Sequence, residues 1–354
     1  MSRLTCLAFA GCLLIGAGAA QASGAAVKGP SKMQLPPPIE ARLQALRPAL
    51  LAGDQAALDQ AESAIAGTRQ QGLLALAPAS IPSGGALPVV VVHQRSSMRG
   101  WEVVERENLA LLLWHPGSGA LRAAPAVLDP KSQEYRDPDA KRPPRPPESA
   151  TQTLNTGATR HDLKAKLAVP ASGPLVVFAL AYDWISPPAV VQVQGGPPAA
   201  PASAADVPNV GNAKLPSFEP TRHHPPAPAG EGVAFKVERL SDGRHVLLGT
   251  LRKPAAAEEL LAHPQAMNTA AGPRQVVALV RVGVAAATLD QPVPATMSRV
   301  VPVFGQAALA PGQPLEARLS VDLSPLGKSS MPGSYPVYLF VAGKAYGPQP
   351  LVTP

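Results

Sequence analysis

Seven histidines are the first place to look for chemistry in this 354-residue chain, at positions 93, 115, 161, 223, 224, 245 and 263. No His-Glu-x-x-His run occurs, and no spacing sets two ligands on one helix face. His223 and His224 are adjacent within proline-rich sequence. They could hold copper or zinc if another ligand folded over them, but neighbouring positions rarely aim at one ion, so an exposed linker pair is the preferred reading. Ser118 lies in Gly117-Ser118-Gly119, which lacks the G-x-S-x-G spacing of a nucleophile elbow and precedes no helix. It reads as a hairpin turn. A triad can assemble from distant residues, so serine chemistry stays open but without a motif.

Carboxylates and aromatics complete the inventory. Glycoside hydrolysis needs two acids across a cleft. On a strand Glu105 and Glu107 face one side and Glu102 the other, close to Arg106, which describes a solvated face. Asp183, between Tyr182 and Trp184, is the acid to inspect first. The 3 tryptophans are Trp101, Trp114 and Trp184, all in one strand-rich stretch that also holds Tyr182. Exposed in a row, such rings would stack sugars or pack a partner peptide; the competing role is core filling. The candidate ligand-binding set is therefore Trp101, Trp114, Tyr182, Asp183 and Trp184, and the candidate metal pair is His223 and His224. No catalytic residue and no cofactor is assigned.

The elements that must position these residues are mostly strands. Ile39, Leu43, Leu46 and Leu50 recur at helical spacing, with Pro38 at a first helical position, and Pro48 is expected to kink or restart the helix. Gly53 reads as a C-cap and Asp54 as the N-cap of a second helix through Leu58, Ala61 and Ile65. Beyond residue 86 the pattern turns to short β-branched and alternating runs. Strands are expected at 87–92, 101–105, 109–114, 163–169, 175–180 and 189–193 in one block. A second block has them at 233–240, 245–251, 275–284, 299–304, 315–323 and 335–341, with a short helix at 255–262. The run Leu163–Val169 resembles Leu315–Val321, which suggests related halves.

Composition agrees with strands and turns. The chain holds 43 prolines and 30 glycines, which suit short strands and turns and argue against a helical protein. Charged residues are 16%, against roughly 25% in ordinary globular domains. The net charge of +7 is thinly spread, and its one dense cluster, Lys141, Arg142 and Arg145, lacks aromatics for base stacking. No nucleic-acid partner is expected.

The N-terminus reads as a secretory signal, with Arg3, an apolar run from Leu4 to Gly18 and Ala20-Gln21-Ala22 as a small-x-small cleavage site. Both cysteines, Cys6 and Cys12, lie inside it, so a mature chain from Ser23 has no disulfide, thiolate metal site or cysteine nucleophile. Phe9-Ala10-Gly11-Cys12 resembles a lipobox, making a lipoprotein anchored at Cys12 the alternative.

The expected organisation is a signal peptide (1–22), a lead-in with a helical hairpin (23–85), and a first β-sandwich-like domain (86–194) with a long loop at 129–160. A Pro-rich linker (195–230) and a second β-sandwich-like domain (231–354) follow. The fold class is mainly β, with two tandem Ig-like sandwiches behind the hairpin. The expected function is a periplasmic or secreted, non-enzymatic binding or structural protein of the cell envelope. Its partner would be another envelope protein or a polysaccharide, and no span crosses the membrane in the mature chain. An envelope hydrolase with a site assembled from dispersed residues is the alternative, and a metal-handling protein the second.

Overall fold

A computed structural model describes residues 37–68, 71–97, 109–125, 153–163, 172–181, 184–195, 202–206, 224–269, 272–287, 293–326 and 333–353. The expected signal peptide, the 101–105 strand and Tyr182, Asp183 and His223 lie outside these residues. So do residues 129–152 of the expected loop and, beyond Leu163, the expected 163–169 strand.

The chain is mainly β. It opens with two helices, α1 (Pro37–Ala52) and α2 (Gln55–Ala66). Gly53 takes a positive φ of 86° between them, and the Asp54 carboxylate accepts from the Ala56 and Ala57 amides to cap α2. Such a cap stabilises a helix by about 1 kcal/mol. Of the expected kink or restart at Pro48, the restart does not occur, because α1 runs through it. Packing explains this, because Leu43 and Leu50, on either side of Pro48, are both buried on the neighbouring sheet.

That sheet has three strands in the order β1 (Gly72–Leu76), β3 (Pro88–Ser97), β6 (Thr153–Asp162), all antiparallel. Its outer face, with Leu76, Val90 and Val92, takes the helices, and the Arg47 guanidinium donates to the Ala77 carbonyl. Its inner face, with Leu73, Ala75, Val89 and Val91, packs on a six-stranded sheet.

The six-stranded sheet runs β2 (Ser80–Pro82), β9 (Ala189–Gln194), β7 (Gly173–Ala181), β4 (Leu109–His115), β5 (Ala120–Pro125), with β8 (Trp184–Ile185) against β7. Strand alternation splits its core. Leu109, Leu111 and Leu113 face the first sheet. Leu112 and Trp114 face the other way, with Val176, Phe178 and Leu180 from β7.

The second strand block supplies what they face. A five-stranded sheet is built from β12 (Leu260–Thr269), β13 (Gly272–Ala286), β14 (Ala295–Gly305), β16 (Gly333–Val341) and β17 (Lys344–Thr353). From it Ala285, Tyr338 and Phe340 meet the six-stranded sheet, and Phe178 and Phe340 stack edge to face at 5.2 Å between centroids. The opposite face, with Val280, Val282, Val284, Val337 and Leu339, packs on a three-stranded sheet of β10 (Gly232–Arg239), β11 (His245–Pro254) and β15 (Pro314–Asp322). The succession is therefore helix pair, three strands, six strands, five strands, three strands.

β1, β2, β5, β8 and β17 are not among the expected strands, and β6 occupies the end of the expected loop. The short helix expected at 255–262 is a single 3₁₀ turn (Ala257–Glu259), followed at once by β12.

Candidate functional site

The structure separates the two candidate tryptophans that it describes. Trp114 is 0% exposed, with its six-membered ring edge over Gly283; a Cβ there would lie 2.7 Å from Cζ3. Trp184 is half-buried on the other face of the same sheet, against the core beneath the first three-stranded sheet. No single ligand could stack on both. For Trp114 the core-filling role replaces that of a ligand platform, because the second strand block covers the face it sits on. His224 lies on the outer face of β15, with Nε2 3.0 Å from Ser320 Oγ. Among the described residues no three His, Cys, Asp or Glu side chains are placed to hold a metal ion.

A hydroxyl and a base meet at the β4–β5 corner. Pro116 to Gly119 turn the chain, with Gly119 at a φ of 71° and its amide donating to the His115 carbonyl. Ser118 is exposed and His115 half-buried. The Ser118 Oγ stands 2.6 Å from His115 Nδ1, and His115 Nε2 stands 3.2 Å from the Ser172 carbonyl oxygen. A carbonyl only accepts, so Nε2 carries the proton and Nδ1 presents a lone pair to the serine hydroxyl. The Ser118 amide also points at Nδ1, at 3.1 Å, and the Ala120 amide donates to Oγ at 3.3 Å. Burial lowers the His115 pKa, the Ser172 carbonyl opposes this, and the Arg281 charge adds to the lowering.

Arg281 comes from β13, two residues before Gly283 on the same face. Its stem lies against the turn, where a Cβ on Gly119 would come within 2.8 Å of Arg281 Cβ. A second link crosses the same seam, from the Leu121 amide to Ser298 Oγ on β14 at 3.1 Å. The corner thus assembles a hydroxyl, a neutral imidazole and a guanidinium from both strand blocks. Motif spacing alone misses it, because only the glycines around Ser118 enter such a motif; the signal is His115 three residues earlier, across a turn.

Two further polar features lie on the second block. On the outer face of β10–β11–β15, Lys236 and Glu238 pair at 2.5 Å, and Thr250 donates to the Pro225 carbonyl at 2.6 Å. His224 is lowered by burial first, then by Arg318, with Leu319, Lys236 and Glu238 contributing less. At one end of that block an open cleft of about 330 Å³ is lined by Gly230, Glu231, Arg252, Lys253, Pro254, Gly312 and Pro314.

Inside the first block, His93 is 0% exposed and lies across Gly157, where a Cβ would come within 2.4 Å of its ring. On the same face of β6, Thr159 Oγ1 meets His161 Nε2 at 3.1 Å. Burial holds the His93 pKa well below its ordinary value. The folded chain keeps this imidazole neutral, whereas the unfolded chain protonates it below about 6.5. Stability is therefore full above that pH and falls as pH drops through it, by up to about 1.4 kcal/mol per pH unit for one group. His115 and His224 act in the same direction. Urea melts at pH 7.5 and 5.5 are expected to show this loss, and His93→Gln to show a smaller one; equal losses would remove His93 as its source.

In comparisons with known proteins, no family model and no curated protein matches the chain. Its class is defined by fold: a mainly β protein of stacked sheets with a helical pair on one outer face. Among the described residues no helix is long and apolar enough to cross a membrane.

Proposed function

We propose that the chain is an exported binding protein of the cell envelope, built from two immunoglobulin-like sandwiches in tandem behind a helical hairpin. Connectivity supports the tandem reading. In the first half the chain pairs β1 with β3, moves to β4 and β5 in the second sheet, returns to pair β6 with β3, and ends with β7 and β9. In the second half β10 and β11, β13 and β14, β15, then β16 and β17 follow the same path. This is an A-B-E sheet facing a C′-C-F-G sheet, within the immunoglobulin-like range. Registers agree as well. Asp162 lies opposite Pro88 as Asp322 lies opposite Val246, and Ala181 opposite Leu109 as Val341 opposite Val282.

The observation that carries the binding role is a contrast between equivalent faces. In the first sandwich the outer A-B-E face holds Leu76 opposite Val90 and is covered by the helices. In the second, the matching pair is Lys236 opposite Leu248, beside Glu238 and Arg318, and residues 224–225 only strap part of it. The C′-C-F-G faces are spent on each other. The polar outer face of the second sandwich is therefore the surface left for a partner, another envelope protein or a polysaccharide. Export rests on the signal at 1–22, with a lipid anchor at Cys12 as the alternative.

A photo-crosslinking amino acid at Glu238 or Arg318, in the native host, is expected to give a discrete adduct, absent from the exposed α2 position Gln60. Mass analysis of the exported chain is expected to start at Ser23. No adduct from either face position, or adducts equal to those from Gln60, would sink the binding reading.

A further inference from the structure

We propose that the β4–β5 corner is a hydrolytic site in which Ser118 is the nucleophile, His115 its general base and Arg281 the anchor for an ester bearing a negative charge. This goes beyond the binding role and does not depend on it. It gives definite residues to the alternative of a hydrolase assembled from dispersed parts.

The geometry meets the requirements for an activated serine: a hydroxyl within hydrogen-bond reach of a base, and a base oriented by a third group. The hydroxyl is at 2.6 Å and the orienting carbonyl at 3.2 Å. Two glycines make room for this. A Cβ on Gly173 would stand 3.3 Å from His115 Nε2, and one on Gly119 would collide with the Arg281 stem. Ser118 is exposed, so a substrate can reach Oγ. The guanidinium belongs to the other sandwich, which makes the corner a composite of both halves. The exposed Asp206 carboxylate feels the Arg281 charge weakly, so the site is not uniformly cationic.

The reaction balances without a further reagent. The Ser118 proton passes to His115 Nδ1 as Oγ bonds to the ester carbonyl carbon; the negative charge that develops on the carbonyl oxygen faces solvent at the exposed Ser118, while Arg281 holds the substrate's own anionic group. The C–O bond to the leaving alcohol breaks, and that oxygen takes the proton from Nδ1. Water, deprotonated by the same nitrogen, then cleaves the acyl–serine bond and frees the acid and Ser118. The seryl hydroxyl, not a metal-bound water, is the attacking group.

The test uses the whole mature chain with a fluorophosphonate probe, p-nitrophenyl acetate and its hemisuccinate analogue. The folded protein is expected to carry the phosphonate on Ser118, identified by peptide mass. Ser118→Ala is expected to lose both label and turnover with an unchanged melting temperature. His115→Ala is expected to lose about 10²–10⁴-fold in rate, partly restored by added imidazole, which a merely structural histidine would not show. Arg281→Gln is expected to raise KM for the hemisuccinate and leave the acetate unaffected. No adduct at Ser118, or Ser118→Ala turning over substrate as the parent does, would overturn the assignment, as would a lowered melting temperature with unchanged rate.

Discussion

Replacing Trp114 by alanine is expected to cost about 3–5 kcal/mol of stability, the range for deleting a large buried aromatic. The indole is 0% exposed at the seam between the six- and five-stranded sheets, among Leu112, Leu121, Phe178, Tyr338 and Phe340. The opposite wall cannot move in to fill the space, because it is the backbone of Gly283 in the centre of a long, doubly paired strand. Trp114→Phe is expected to cost less. Phenylalanine keeps most of the contact and removes an indole N–H that has no hydrogen-bond partner among the described residues. Gly283→Val is expected to destabilise by overpacking, about 1–3 kcal/mol, since its first methyl-bearing carbon would meet the ring at 2.7 Å. Urea unfolding followed by far-ultraviolet circular dichroism, with the exposed Val190→Ala as a control, makes the comparison. A Trp114→Ala cost near that of the control would mean that the two strand blocks do not hold together through this face.

The same seam shows why the sequence was legible in some places and opaque in others. Strands buried on both faces announce themselves: Leu109 to Trp114 and Gln275 to Val284 are almost unbroken apolar runs bounded by turn residues. The helical hairpin was legible from spacing and caps, and Asp54 does cap α2. Strands whose reason to exist is tertiary were not legible. β6 reads Thr-Leu-Asn-Thr-Gly-Ala-Thr-Arg-His-Asp, which looks like loop until β3 lies beside it and His93 needs the bare Gly157. The expected helix at 255–262, rich in Ala, Glu and Leu, which are good helix formers, runs into the first residues of β12; pairing with β13 overrides that weak preference. The face of a tryptophan is equally invisible locally. Trp114 and Trp184 flank the same sheet from opposite sides because their strands present them with opposite parity, which a count of aromatics cannot reveal. The His115–Ser118 contact was within reach of sequence, but the Ser172 carbonyl that sets its tautomer is 57 residues away, and Arg281, whose stem lies against the turn, comes from the second strand block.

Removing Glu259 is expected to destabilise nearly as much as removing Trp114, and for a different reason. Lys253 Nζ meets Glu259 Oε2 at 2.5 Å, with the two side chains only 10% and 11% exposed. Nζ also donates to the Pro254 carbonyl at 3.2 Å, and the carboxylate accepts the Ala256 amide at 3.1 Å. This pair sits where β11 leaves one sheet and the chain crosses to β12 in the other, so it fixes the crossing rather than decorating a surface. Exposed ion pairs contribute about 0–1 kcal/mol. A buried one costs about 3–5 kcal/mol when a single partner is removed, because the other charge stays desolvated and alone. Glu259→Ala and Lys253→Met are each expected to fall in that range. The double variant is expected to cost much less than their sum, since no orphaned charge remains; the Ala256 amide loses its acceptor and the Pro254 carbonyl its donor. A double-mutant cycle by urea melts reads this directly. Additive losses, each below about 1 kcal/mol, would mean that water reaches the pair and that the crossing is held by the backbone alone.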